Sequence, residues 1–301
     1  MIKINSSYKY LLFFFALIAL ISFCEISNSA PTTTMTRGNA ACAATITASD
    51  NECEAQPTTQ NIIFHKVAFC TALPTEPTGT TATGMTNCTT VFENTAGATV
   101  SIEKGVGAIP TGTFTDPPYG NYTFAYVELS PVVTYKVNLV FAVANALSST
   151  AALGANAGFS NCQTSAADYF HWGDLLGITC QTNITAAVNA NVTLNSLDNG
   201  AALYAARFPG TNGNTDVYLV QSNGTLATGS TLGANANVAK VIAFVPMTAN
   251  ITPDTISYNL LYNNTRGMTV WQNRNGAGNV NNGFWNIGFS IAYFDMTFQI
   301  Q

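Results

Sequence analysis

The strongest signal along the chain is the alternation of apolar and polar positions. Tyr122, Phe124 and Tyr126 alternate with Thr123 and Ala125. After Ser130-Pro131 the same period returns at Val133, Tyr135, Val137, Leu139, Phe141 and Val143, with Lys136 and Asn138 on the other parity. A period of two in β-branched and aromatic residues marks half-buried strands. The two runs read as a hairpin that turns at Ser130-Pro131. Further strands are predicted over 62–70, 89–93, 99–103, 202–208, 217–221, 238–245, 255–262 and 268–272. Asn223-Gly224 supplies a tight turn after the 217–221 strand. Residues 284–300 keep one parity from Trp285 to Tyr293 and the other from Phe294 to Ile300. That shift predicts one long strand with a bulge, or two strands joined tightly.

Between the periodic segments lie stretches without period. Residues 31–60 are rich in Thr, Ala and Pro and read as an extended N-terminal arm. Residues 71–90 carry Pro74, Pro77, Gly79 and Gly84, which marks a loop. Residues 144–160 are dominated by Ala, Asn, Ser and Gly. They read as a linker or a loop within one fold, with a weak helix near 147–153. The predicted division is a signal peptide at 1–30, the arm at 31–60, an N-terminal β domain at 61–145, a linker or loop at 146–160 and a C-terminal β domain at 161–301. No fixed-period repeat is present. Many short strands between frequent turn residues predict an all-β fold, an antiparallel β-sandwich architecture in one or two domains with long loops.

The first 30 residues change the picture by setting the compartment. Lys3 and Lys9 precede an apolar run over 11–23, and small residues at Ser27, Ser29 and Ala30 suit cleavage. An uncleaved anchor is an alternative. Lipid attachment at Cys24 is another, although Phe23 stands where a small residue is usual. A secreted, cell-surface or periplasmic location follows. Six cysteines then remain, Cys42, Cys53, Cys70, Cys88, Cys162 and Cys180. An even count in an exported chain favours disulfides. Sequence proximity pairs Cys42 with Cys53, Cys70 with Cys88 and Cys162 with Cys180, each closed loop being worth about 3 kcal/mol in the chain-entropy account. No CxxC spacing points to zinc or to redox chemistry.

Composition narrows the function. Only 8% of the 301 residues are charged, and 10 basic against 15 acidic residues give a net charge of −5. An electrostatic nucleic-acid binder is excluded, and 47% hydrophobic residues exclude a disordered chain. No membrane span is expected in the mature chain, no cofactor is implied, and the motifs of common hydrolases, nucleotide enzymes and zinc proteases are absent. The best chemical constellation is Asp168, His171 and Asp174. On a helix this spacing brings two carboxylates near one imidazole, a weak set for orienting a base or holding a metal. The competing reading is a short helical turn that packs Tyr169, Phe170 and Trp172. Asp50, Glu52 and Glu54 alternate as ligands of a hard cation do, but Ala55 sits where a calcium loop needs Gly, and a solvated acidic loop is expected. His65 reads as structural or as a surface group. Trp271, Gln272, Arg274 and Trp285 form a candidate binding set, two stacking rings around an exposed Gly/Asn loop at 272–283; the alternative is that both Trp belong to the core. After residue 30, seven N-x-S/T sequons begin at Asn87, Asn121, Asn183, Asn191, Asn223, Asn250 and Asn263, several of which arise by chance in so Asn- and Thr-rich a chain.

The reading that best fits these features is an exported, non-catalytic surface or structural protein. It would be a subunit of an extracellular layer, appendage or coat that self-assembles, or joins another surface component, by strand addition. The alternative is a secreted β-sandwich module that binds a glycan or a protein. An outer-membrane β-barrel, or a hydrolase built on Asp168, His171 and Asp174, fits less well.

Overall fold

The computed structural model describes residues 31, 41, 42, 44, 52–103, 108–140, 161–164, 168–169, 178–181, 187, 189–197, 203–210, 213–229, 237–262, 267–274, 280–289 and 296–300. Among the described residues every regular element is a strand. In chain order they are β1 (Glu52–Ala55), β2 (Thr59–Cys70), β3 (Cys88–Ile102), β4 (Thr113–Phe114), β5 (Gly120–Leu129) and β6 (Val132–Lys136). There follow β7 (Asn138–Val140), β8 (Asn161–Thr164), β9 (Asp168–Tyr169), β10 (Ile178–Gln181), β11 (Ala190–Thr193) and β12 (Ala205–Phe208). The last six are β13 (Thr215–Val220), β14 (Lys240–Ile251), β15 (Tyr258–Tyr262), β16 (Met268–Arg274), β17 (Val280–Phe289) and β18 (Met296–Ile300). Ten strands form one sheet; the others form β1-β16-β17, β10-β8-β7 and the ribbon β15-β18. Strand pairs are antiparallel except β9 with β11. The weak helix predicted near 147–153 lies outside the described residues.

The large sheet is built on β2. One of its edges carries β3, from Cys70↔Cys88 to Gln60↔Ile102. Its other edge carries β5 from Cys70↔Phe124 to Phe64↔Leu129, and then β6 from Asn61↔Thr134 to Thr59↔Lys136. The expected hairpin at Ser130-Pro131 is therefore not formed: the chain runs straight on along β2. Ser130 N–H still donates to the Ile63 carbonyl at 2.9 Å. Proline has no N–H to give, and at this point the outer neighbour changes. β14 pairs with β5 as far as Leu129, whereas β11 pairs with β6 from Val132, and the Pro131 carbonyl accepts from Leu194 N–H. Period-two alternation is the same whether a strand folds back or continues, so the pattern alone did not distinguish them. The same sheet takes strands from both sides of the stretch 146–160. β5 lies before that stretch and β14 after it, yet they share one ladder.

Two short strands predicted over 89–93 and 99–103 are one long strand, β3. The gap between them is a bulge. Phe64 pairs with Ala98 and Lys66 with Glu93, so Asn94 to Gly97 bow out opposite His65. Gly97 has φ of 90°, and a Cβ there would lie 2.5 Å from Ile63 Cγ2 and 3.0 Å from His65 Cε1. Glycine is required both by the backbone and by the space.

Each face of the sheet has its own core. On one face Ile62, Phe64, Val67 and Phe69 of β2 join Val127, Leu129, Val217, Leu219, Val241 and Ala243. The β15–β18 ribbon forms a second layer there. Phe69 meets Phe298 at 5.5 Å and Tyr258 at 5.0 Å, ring centre to ring centre. Full burial of side chains this size is worth about 1.5–3 kcal/mol each. The buried Gln60 amide donates to Tyr135 OH at 3.1 Å and to Tyr262 OH at 3.3 Å, which ties the ribbon to the sheet. On the other face Ala68, Tyr126, Tyr218, Ile242 and Phe244 pack under Leu73 and Met85 from the loop after β2. Beside them runs a row of alternating charge across four strands. Glu93 pairs with Lys66 at 2.9 Å, Lys66 lies opposite Glu128, and Glu128 pairs with Lys240 at 2.7 Å.

Cys42–Cys53 and Cys70–Cys88 are disulfides, as proximity predicts. Cys162 and Cys180 occupy directly opposed positions on β8 and β10. The segment expected to be an arm contains β1, which lies on β16. The C-terminal segment is two strands in different sheets, β17 on β16 and β18 on β15.

Two expectations follow. Gly97→Ala forces a side chain into left-handed backbone and against Ile63, so urea unfolding should show a loss of about 1–3 kcal/mol. Directly opposed antiparallel positions place Cα atoms within disulfide range; peptide mapping of the oxidised chain should recover Cys162 linked to Cys180, and free thiols there would refute it.

Candidate functional site

The most organised non-core feature is the loop between β2 and β3, closed at its root by Cys70–Cys88. Thr75 and Gly84 bridge across it, each N–H donating to the other's carbonyl. At its tip Thr78 Oγ1 accepts from Thr80 and Thr81 N–H, a local turn typical of Thr. The loop then folds down as a flap over the second face. It is fastened by the tight turn that Asn223-Gly224 predicted: Leu226 N–H donates to the Thr78 carbonyl at 2.8 Å, and Thr83 N–H donates to the Gly224 carbonyl at 3.1 Å. Asn223 Oδ1 holds that turn by accepting from Thr225 N–H and Oγ1.

The flap carries Glu76 into the protein between Pro74 and Pro77, and leaves it buried. Under it lie Asp216, Tyr218 and Arg207. Arg207 and Asp216 are cross-strand partners on β12 and β13 and form a two-pronged ion pair at 2.6 and 2.7 Å. Such forked pairing is the strong form of the Arg–carboxylate contact, and the hydrogen bond to Asp216 holds the guanidinium above its usual pKa. Burial pushes the Glu76 carboxyl above the usual carboxylate range, and the Asp216 charge adds to this. Tyr218 and Arg207 pull the other way without cancelling it. Burial and the carboxylates of Glu76 and Asp216 drive the Tyr218 phenol upward as well, so it stays protonated. The Tyr218 hydroxyl lies near the Glu76 carboxyl but outside good hydrogen-bond geometry, and Tyr218 OH and Glu76 Oε1 are left without partners. The cluster can take up a proton at Glu76 and thereby hold the flap. Nothing in the sequence marked it. Arg207 and Asp216 flank a turn and were findable as a hairpin pair, but Glu76 arrives from a segment with no periodic signal.

The residues singled out in the sequence fall elsewhere. Trp271, Gln272 and Arg274 lie on β16 and Trp285 on β17. Gln272 is opposite Trp285, and Trp271 is opposite Asn286. The expected loop over 272–283 is thus mostly strand, since β16 runs to Arg274 and β17 resumes at Val280. Trp271 and Gln272 are consecutive strand positions of opposite parity, so the register does not pair the two Trp with each other. Asp168 lies on β9, opposite Asn191, so this end of the constellation is strand and not the helical turn expected. His171 and Asp174 lie outside the described residues. Glu54 is not part of a solvated acidic loop: it is buried in β1, and its carbonyl accepts from Cys42 N–H at 2.7 Å. On its two edges β1 pairs with β16 and meets Ala41 and Cys42. Asp50 lies outside the described residues. His65 sits on β2 opposite the bulge of β3, beside Gly97. Among the described residues no group of three or more His, Cys, Asp or Glu is placed to hold a metal ion. Of the sequons, Asn191 is engaged by Thr134 Oγ1 at 2.7 Å. Comparison with known proteins finds no matching family model, no similar curated protein and no similar solved structure.

The raised pKa of Glu76 sets a direction for stability. The native protein binds this proton more tightly than the unfolded chain, whose value is near 4.5. The stabilisation is fully present below that value and is lost as pH rises through the higher native one. Thermal melts of wild type and Glu76→Gln, from pH 4 to pH 8, should converge in acid. At neutral pH the variant should melt higher by about 2–4 °C, equivalent to about 1 kcal/mol. Parallel curves would show that Glu76 does not titrate with folding.

Proposed function

We propose that the chain is an exported, non-catalytic surface or structural protein, a subunit of an extracellular layer, appendage or coat that assembles by strand addition. The observation that carries this reading is the β15–β18 ribbon. Among the described residues its two strands pair only with each other, which leaves edges that can accept a further strand. Two disulfides fit an oxidising, non-cytoplasmic compartment. Among the described residues no helix is long and apolar enough to cross a membrane, which leaves strand-built spans unaddressed. Sparse charge keeps repulsion between copies low. Donation of β18 itself is a costlier route, because it would strip β18 from β15 and expose the buried Phe298.

A second reading, a glycan- or protein-binding module, draws on one fact: Trp271, Gln272, Arg274 and Trp285 all belong to one hairpin. Light scattering and negative-stain imaging of residues 31–301 under oxidising conditions separate the two. Ordered polymers, lost on truncation before Phe294 and weakened by Gln299→Lys at an exposed β18 position, are the expected result. A folded monomer at every concentration would overturn the subunit reading. Glycan binding by that monomer, abolished by Trp271→Ala or Trp285→Ala, would establish the binding module instead.

A further inference from the structure

The loop between β2 and β3 is held in two different ways. At its root it is tied to the sheet: Cys70–Cys88 closes it, Thr71 N–H donates to the Asn87 carbonyl at 3.0 Å, and Thr123 Oγ1 donates to the Thr71 carbonyl at 3.2 Å. The bridge between Thr75 and Gly84 then joins its two arms into one unit. Its outer part is fastened to the turn at 221–226 by two backbone hydrogen bonds, from Leu226 to Thr78 and from Thr83 to Gly224. Residues 78–82 are exposed, whereas Pro74, Glu76 and Pro77 are buried. Glu76 is the only ionisable residue of 71–87, and the turn at 221–226 brings none. The groups it meets are Arg207 on β12 and Asp216 and Tyr218 on β13. Their charges are already matched, because Arg207 takes both carboxylate oxygens of Asp216. The neighbouring charged row, Glu93, Lys66, Glu128 and Lys240, pairs within itself. An ionised Glu76 thus puts one unmatched negative charge under the flap, and Glu76 Oε1 and Tyr218 OH are left without partners. A proton on Glu76 removes both defects: the carboxyl becomes neutral, and its O–H is a donor that the Tyr218 oxygen can accept.

We infer that this loop is a proton-gated flap: a proton held between Glu76 and Tyr218 keeps it down, and loss of that proton lets its outer part lift off the second face while the disulfide root stays in place. Lifting uncovers the apolar cluster of Ala68, Tyr126, Tyr218, Ile242 and Phe244, which now packs under Leu73 and Met85. The sheet itself is not broken, because Cys70 and Cys88 end the β2–β3 ladder and the whole ladder lies behind the hinge. The direction follows from where Glu76 goes. Lifted, it meets water and titrates near 4.5; closed, burial and the Asp216 charge raise it. The closed state binds the proton more tightly, so the flap is held down in acid and released as pH rises through the closed-state value. Segments that open locally are those tied by few buried contacts and by hydrogen bonds near solvent, and the outer flap is of this kind. The inference is independent of the subunit reading and concerns the isolated chain.

Amide hydrogen exchange of the oxidised chain from pH 4 to pH 8 tests it, with each rate divided by that of the unstructured chain at the same pH. The amides of Leu226 and Thr83, which fasten the flap, should exchange far faster at every pH than those of β5, which lies between β2 and β14. Their protection should fall by up to about tenfold per pH unit above the ordinary carboxyl value and level off past the closed-state one. Glu76→Gln keeps the shape but not the titration, and its protection at Leu226 and Thr83 should stay constant. Asp216→Asn, which frees Arg207 to pair with Glu76, should flatten the fall as well. Exchange at Leu226 and Thr83 as slow as in β5 would mean that the flap opens only with the whole molecule, and would overturn the inference. Wild-type protection that does not change with pH, or a fall that persists in Glu76→Gln, would overturn it too by removing the proton as the gate.

Discussion

The molecule depends on β2 being paired along both edges and covered on both faces over its last four residues. Thr59 to Phe64 alternate half-buried and buried positions, as a strand with one packed face does, but Val67, Ala68, Phe69 and Cys70 are all buried. The change comes at His65 and Lys66, where the bulge in β3 shifts the register. From there the β15–β18 ribbon lies over Phe69 and the disulfide-rooted flap lies over Ala68. Hydrogen bonding to β3 on one side and to β5–β6 on the other leaves β2 no freedom to slip, since a one-residue slip would exchange its two faces. The flap and the ribbon both take their positions from it.

The second face shows how a protein with few charges uses them. Glu93, Lys66, Glu128 and Lys240 alternate in sign across four neighbouring strands. Tyr126 OH donates to Glu128 Oε2 at 2.8 Å from within the apolar cluster. Exposed pairs of this kind contribute little singly, about 0.2–1 kcal/mol. Their effect is on order: the observed neighbours keep the charges alternating in sign and give Glu128 a cation in Lys240. Arg207 and Asp216 do the same for β12 and β13.

Strand content and two disulfide pairings were legible because they are local. Alternation over 62–70 and the spacing of Cys70 and Cys88 require no knowledge of distant segments. The tight turn at Asn223-Gly224 was legible for the same reason, as glycine readily takes the φ of 84° found there. The path at Ser130-Pro131 was not, since a continuation and a hairpin present the same side-chain period. The continuity of β3 was hidden by its bulge, where Asn94 to Gly97 break the alternation without ending the strand. Glu54 looked solvated because its neighbours are polar; Cys42 and β16, which flank β1, come from outside the segment. The Glu76 cluster was illegible for the strongest reason, being assembled from three segments with no periodic relation.

The ladder that joins Leu129 to Val241, and the side-chain bond that joins Gln60 to a residue 202 positions away, have a kinetic meaning. Contacts this distant in sequence form slowly, because a long loop must be closed before any pairing rewards it. The central strand β2 is made early in synthesis, yet its cover is made almost last. The face of Phe69 that the ribbon covers therefore stays open until Tyr258 and Phe298 are available to pack on it.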